Sequence, residues 1–254
     1  MNRTGLGIAL AVAVITGAVF ALYPDLDLAI SRPFYDAVKH DFPLRFVPFL
    51  YGLRDDAQWI VAAAVAPAIV ALAVKLVLPR RRMLISARAV IFLLSTLVIG
   101  PGLIVNVTLK DYFPRSRPID VPQFNGDERF TPWWDPRGGC PKNCSAVAGE
   151  ASGAFWTLAP AVLAPPQWRP FAYAGALVFG AAVGGLRIAF GGHFFTDVVF
   201  AGVLMFLLIW IVHGLLYRWR TRPSDEALER ALERFSPVAW LSPHKGARSD
   251  VERP

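Results

Sequence analysis

Three short polar segments hold the side chains that chemistry on a phosphate would need. They are Lys110-Asp-Tyr-Phe-Pro-Arg-Ser-Arg-Pro118, Ser145-Ala-Val-Ala-Gly-Glu-Ala-Ser152 and Arg187-Ile-Ala-Phe-Gly-Gly-His-Phe-Phe-Thr-Asp197. Lysine offers a phosphate a point charge, and arginine offers a planar fork that grips two oxygens; Lys110, Arg117 and Arg187 fill those parts. His193 and Asp197 are four apart, so on one helix they would share a face. A carboxylate there takes the proton of one ring nitrogen and leaves the other as a nucleophile. Gly149 lets the backbone approach an anion at the start of a helix, where amides point outward. Glu150 is placed to protonate a leaving oxygen. Each segment alone carries little weight: Arg-Pro is a common dipeptide, and basic residues at a membrane surface also bind headgroups.

The elements that must position these residues are apolar. Of the 254 residues, 55% are hydrophobic and 18% charged, and the mean hydropathy is +0.43. Runs of about 20 apolar residues, the length that crosses a bilayer, predict six spans in one all-α bundle. They are Thr4–Tyr23, Trp59–Leu78, Ala89–Thr108 with a kink at Pro101-Gly102, a fourth from Ser145 to Pro165-Pro166, Phe171–Phe190 and His193–Tyr217. The first lacks a small-x-small cleavage site and reads as a retained helix rather than a signal peptide. Residues 25–58 form a mixed segment with one interfacial helix. A Pro-, Gly- and Trp-rich loop precedes the fourth span, and loops of that size inside a bundle are usually functional. Its Trp133 and Trp134 read as interfacial anchors. The span domain covers residues 1–222. Residues 223–254 form a polar cytoplasmic tail whose Ser224–Phe235 segment suits a surface helix.

The net charge of +7 is explained by topology better than by nucleic acid. Arg80, Arg81, Arg82 and Arg88, Arg169, and Arg218, Arg220 and Arg222 all fall on one side of a six-span bundle, as does Arg3, and basic loops stay cytoplasmic. All three chemical segments then face outward, at span ends. Cys140 and Cys144 lie in the outward loop. Four apart, they suit a small disulfide in an oxidising compartment or half of a metal site, for which the loop has no histidine.

With order, spacing and side taken together, the chain resembles the type 2 phosphatidic acid phosphatase (PAP2) superfamily, whose signature is KxxxxxxRP, PSGH and SRxxxxxHxxxD. The first segment matches fully; the third matches at Arg187, His193 and Asp197, with Leu186 where serine is usual. The likeness runs from about residue 60 to 217. The second segment departs, with Val147-Ala148-Gly149-Glu150 in place of Pro-Ser-Gly-His, and is similar to a bacterial subgroup with Ser-Gly-Glu, several of whose members look like lipid A phosphatases acting on the periplasmic side. The resemblance implies a haloperoxidase-like core and a metal-independent reaction with no cofactor, in which His193 forms a phosphohistidine and Asp197 orients it. Lys110, Arg117, Arg187 and the Gly149 amide hold phosphate, and Glu150 protonates the leaving group. Tyr112 and Arg115 are expected at the headgroup. Ala148 removes a hydroxyl donor, for which Ser145 and Ser152 are candidate replacements.

The expectation is therefore an inner-membrane lipid phosphatase facing the periplasm, acting on the 1- or 4′-phosphate of lipid A. Undecaprenyl diphosphate and phosphatidylglycerophosphate are the alternatives within the fold. A non-catalytic lipid-binding protein is the alternative of another class. A transporter is disfavoured, because the charges gather at span ends rather than at the midplane.

Overall fold

A computed structural model describes residues 2–237, and among them every long element is an α-helix. Five are long and apolar enough to cross a membrane: α1 (Arg3–Leu22), α3 (Pro48–Val77), α4 (Ala87–Tyr112), α7 (Arg169–Ala189) and α8 (Phe195–Arg218). A short α2 (Asp25–Ser31) follows α1. The surface is apolar at mid-helix, with Val14 69%, Ile69 51% and Val178 68% exposed. Side chains of that kind turned outward need lipid as their solvent.

The expected fourth span differs. It is a pair of short helices, α5 (Gly149–Trp156) and α6 (Leu158–Leu163), broken at Thr157. Together they rise roughly 22 Å at 1.5 Å per residue, short of the ~30 Å hydrocarbon thickness. The reason is position: all of α5 but Glu150 is buried among the other helices. Thr157 Oγ1 bonds back to the Ala154 carbonyl (2.6 Å), and Pro165-Pro166 ends the run. Trp156 is fully buried, its indole N–H donating to Thr96 Oγ1 (2.9 Å).

The second predicted span also starts earlier, at Pro48 rather than Trp59, with proline at the first turn, where its missing N–H costs nothing. That extension carries Tyr51 and Arg54 towards the polar loops. In α4, Pro101 interrupts the ordinary ladder, and residues Val98–Leu109 adopt wider π turns. Asn106 Nδ2 donates to the Pro101 carbonyl (2.7 Å) and Thr108 Oγ1 to that of Leu103 (3.1 Å). The expected kink is thus a re-wound stretch that ends beneath Lys110.

At the other end of α3, the buried Lys75 ammonium donates to Glu229 and Glu233 (both 2.7 Å) of the tail helix α9 (Asp225–Arg234). Arg88 binds Asp225 and the Pro223 carbonyl. The expected surface helix is therefore clamped onto the basic α3–α4 connection. From Arg54 to Lys75 α3 rises roughly 30 Å, one bilayer thickness, so the clamp and the polar loops lie at opposite ends of the bundle. Residues 238–254 of the predicted tail lie outside the described residues.

Candidate active site

The polar loops and span ends assemble into a cleft of about 410 Å³ lined by Arg45, Tyr51, Arg54, Arg117, Ile119, Asp120, Arg187, Phe190 and Gly192. Two glycines let cations approach the backbone. A Cβ on Gly149 would stand 2.7 Å from Lys110 Nζ, and one on Gly192 would stand 2.4 Å from Arg187 Nη2. Any side chain there would push away the charge that the site gathers.

The start of α5 is built as an anion seat. Val147, β-branched, is held at φ +54°, a left-handed conformation costing of order 1–3 kcal/mol. The bend lets the Ala148 amide donate to the Asp197 carbonyl (3.2 Å) and aims the first turn of α5 at Lys110. Ala148 has no side-chain acceptor for a cap, so among the described residues the amides of Gly149, Glu150 and Ala151 have no acceptor. The Lys110 ammonium has no hydrogen-bond or ion-pair partner among them either, and Arg187 Nε has no aligned acceptor, although Glu150 Oε2 lies 3.0 Å away. Donors left open in one cleft are what an incoming anion requires. Arg117 grips the carbonyl of Asn143 (Nη2 2.6 Å, Nε 3.2 Å), in the loop that a Cys140–Cys144 disulfide closes.

His193 is 2% exposed and lies in the turn between α7 and α8. Its Nδ1 is 2.9 Å from the Ser145 carbonyl. A carbonyl only accepts, so Nδ1 carries the proton and Nε2 the lone pair. Burial first, then the charges of Arg187 and Arg117, push its pKa well below the usual 6.5. The imidazole is therefore neutral at pH 7, as a nucleophile must be.

Asp197 does not take the position expected of it. Its Oδ2 is 4.0 Å from His193 Nδ1, beyond hydrogen-bond reach. His193 precedes the helix that Asp197 begins, so the i,i+4 face is never formed. Asp197 instead accepts from Ser145 Oγ (2.6 Å), the Phe194 amide (2.9 Å) and Arg115 Nη1 (2.6 Å). It fixes Ser145, and the Ser145 carbonyl fixes His193.

Three further expectations need correction. Arg115 cannot reach a headgroup: it is fully buried, bonded to Asp197, Thr196, the Thr131 carbonyl and Asp27 (2.7 Å), with its guanidinium over the Phe194 ring. Neither Ser145 nor Ser152 replaces the missing hydroxyl donor, since their protons go to Asp197 and to the Ala148 carbonyl (2.9 Å). Glu150 is gripped as a carboxylate by Arg54 (2.5–3.1 Å) and Arg187, an arrangement with no proton to give. Tyr112 is 79% exposed at the end of α4 and makes no contact that ties it to the cleft. Trp134 is half exposed, while Trp133 packs on Phe200 and donates to the Gly17 carbonyl of α1 (3.2 Å), so only the former is free to anchor.

Sequence reasoning missed Asp27, Arg45, Arg54 and Asp120. Asp27 is buried in α2 and accepts from Arg115, the Thr196 amide (3.0 Å) and Thr196 Oγ1 (2.6 Å). Asp120 lines the cleft, its pKa raised by burial and by Glu128. None of the four sits in a motif. Only the mixed polar character of residues 25–58 hinted at the first three.

Among the described residues no cluster of His, Cys, Asp and Glu could hold a metal ion. The chain is similar to known proteins. The PAP2 superfamily model matches residues 88–221. The chain is 35% identical over 219 residues to the lipid A 4′-phosphatase of Francisella tularensis subsp. novicida (strain U112), covering 86% of this chain and 98% of that protein. It is 38% identical over 106 residues to the lipid A 4′-phosphatase of Rhizobium leguminosarum, covering 42% of this chain and 46% of that relative. No solved structure gives a significant match. The chain belongs to the PAP2 superfamily and is a membrane lipid phosphatase, a phosphoric monoester hydrolase.

Proposed function

We propose that the chain removes the 4′-phosphate of lipid A at the outer face of the bacterial inner membrane, through a phosphohistidine on His193. The observation that carries this reading is the convergence of open donors on one neutral imidazole. Arg187 lines the cleft, Lys110 meets the first turn of α5 at Gly149, and both cations lie within electrostatic reach of His193, whose Nε2 holds the lone pair. Cationic donors placed around a phosphoryl group stabilise its transition-state charge without a metal. Nε2 attacks phosphorus, the bond to the lipid oxygen breaks, and water then cleaves the P–N bond. As the ring becomes cationic, the Ser145 carbonyl holds its Nδ1–H and Asp197 supplies nearby negative charge.

The choice of lipid and position rests on the two relatives, both lipid A 4′-phosphatases. The choice of face rests on charge: the arginine-rich connections and the clamped tail lie at the end of the bundle opposite the cleft, and basic loops stay in the cytoplasm. Counting α5–α6 as a sixth crossing puts both termini there.

The test is mass spectrometry of lipid A from cells with and without the gene. Loss of one phosphate, mapped to the 4′ position and dependent on the gene, is expected. Unchanged lipid A, together with no phosphate release by the purified protein, would refute the reading. A reporter fused after Pro254 should register as cytoplasmic.

A further inference from the structure

Two cations that line the cleft lie outside the three motifs and outside the family-matched residues, Arg45 and Arg54, and the second meets the second motif. Arg54, on the first turns of α3, donates through Nη2 and Nε to Glu150 at 2.5, 3.0 and 3.1 Å. Glu150 Oε2, which also accepts from Arg54 Nε, lies 3.0 Å from Arg187 Nε. One carboxylate thus stands between two guanidinium groups that both line the cleft. Its two oxygens occupy the position in which two phosphoryl oxygens would be gripped, and the hydrogen-bond alignment with Arg187 is poor. Glu150 is also half-buried at the second position of α5, beside the three open amides. A negative group there keeps four cations, Lys110, Arg117, Arg187 and Arg54, close together when the cleft holds no anion, a crowding that would otherwise be repulsive.

We infer that Arg54 is a substrate-binding residue, and that Glu150 keeps the seat of the phosphate in the free enzyme until the substrate displaces it. This rests on the phosphatase reading and deepens it. Arg54 joins Arg187 as a second fork on the phosphoryl oxygens, and Glu150 swings off both. The departure of the second motif from its relatives then has a physical correlate. Where an acid replaces histidine, the site gains a negative charge, and α3 brings a cation to meet it. The ligand class is any phosphomonoester or free phosphate dianion, with the competing carboxylate setting the affinity.

The experiment measures the stabilisation of the full-length detergent-solubilised protein by inorganic phosphate, in a His193→Gln background so that no turnover interferes. Ligand that binds only the folded state raises the melting temperature according to its Kd. Arg54→Ala should weaken phosphate binding about tenfold, the effect of losing one charge-assisted pair. Arg54→Lys should recover part of it. Glu150→Gln should tighten phosphate binding several-fold, and that gain should vanish in the Arg54→Ala, Glu150→Gln double variant. If Arg54 only ties α3 to α5, Arg54→Ala lowers the melting temperature without phosphate and leaves the phosphate-induced rise unchanged. That result overturns the inference, and so does weaker binding in Glu150→Gln. If the His193→Gln protein with no other change shows no response to phosphate, the phosphatase reading itself fails.

Discussion

Arg115 and Arg117 are two residues apart in one loop and have opposite fates. Arg115 points inward and is fully buried, its guanidinium held between Asp27 and Asp197 and shared with Thr196 and a carbonyl. Arg117 lines the cleft, and among the described residues its guanidinium is held only by the Asn143 carbonyl. In a regular extended stretch residues two apart share a side, so the opposite directions come from the irregular loop, in which the Arg115 amide bonds back to the Phe113 carbonyl (2.8 Å). The contrast extends further. In the interior network every ion has a partner, one arginine serving two carboxylates, since a buried ion without a partner is very costly. At the cleft the Lys110 ammonium and Arg187 Nε are short of aligned acceptors among the described residues, as the proposed arrival of a phosphate would require. Charge with its partners in place marks the scaffold here, and charge short of acceptors marks the site.

That comparison is easiest to break with the two arginines themselves. Arg115→Ala strands two buried carboxylates and should cost about 3–5 kcal/mol of stability, read as loss of folded protein on size exclusion in detergent. Arg117→Ala should leave the melting temperature nearly unchanged and slow phosphate release about 100-fold. If the two phenotypes were exchanged, the division into scaffold and site would be wrong. Asp27→Asn tests the far end of the network. It keeps the shape but removes a charge, so a smaller fall in stability is expected, with turnover lowered through Asp197 and Ser145.

Next in size is the loop that carries Asn143. Replacing Cys140 and Cys144 with serine removes a short cross-link and should cost about 2 kcal/mol or less. A reducing agent should reproduce the effect on the wild type, with the loss falling on activity because Arg117 depends on this loop.

The pH dependence is subtler. The folded pKa of His193 lies well below 6.5, so below about pH 6.5 the unfolded chain binds a proton that the folded one refuses. Stability should therefore be full above that pH and decline as pH falls below it, and His193→Gln should flatten the slope. NMR of labelled histidine should show His193 neutral at pH 7. The smallest effect expected is none: EDTA should leave turnover unchanged, since cations already meet the phosphate charge.

The contrast also explains how far the sequence could be read. Lys110, Arg117, Gly149, Arg187 and His193 were legible because each sits at a fixed spacing beside a span end; Arg117 and Arg187 line the cleft, and with Lys110 they lie within electrostatic reach of His193. Arg115 was misread because spacing does not tell which way a side chain turns in an irregular loop. Asp197 was paired with His193 on the assumption of a shared helix, which starts two residues after the histidine. Arg54 was missed because Arg54-Asp55-Asp56 looks like a loop, yet Pro48 starts the helix six residues earlier. The fourth span was read from its apolar residues; they are apolar because α5 is buried in protein rather than facing lipid, and the crossing is made by a pair broken at Thr157.

The most direct measurement traps the proposed intermediate. Purified protein is mixed with lipid A labelled in its 4′-phosphate, quenched within one turnover, and digested. The account predicts label on the peptide that contains His193, labile in acid and stable in base, and absent from the His193→Gln protein. Full phosphate release by the His193→Gln protein, or label on another residue, would contradict it.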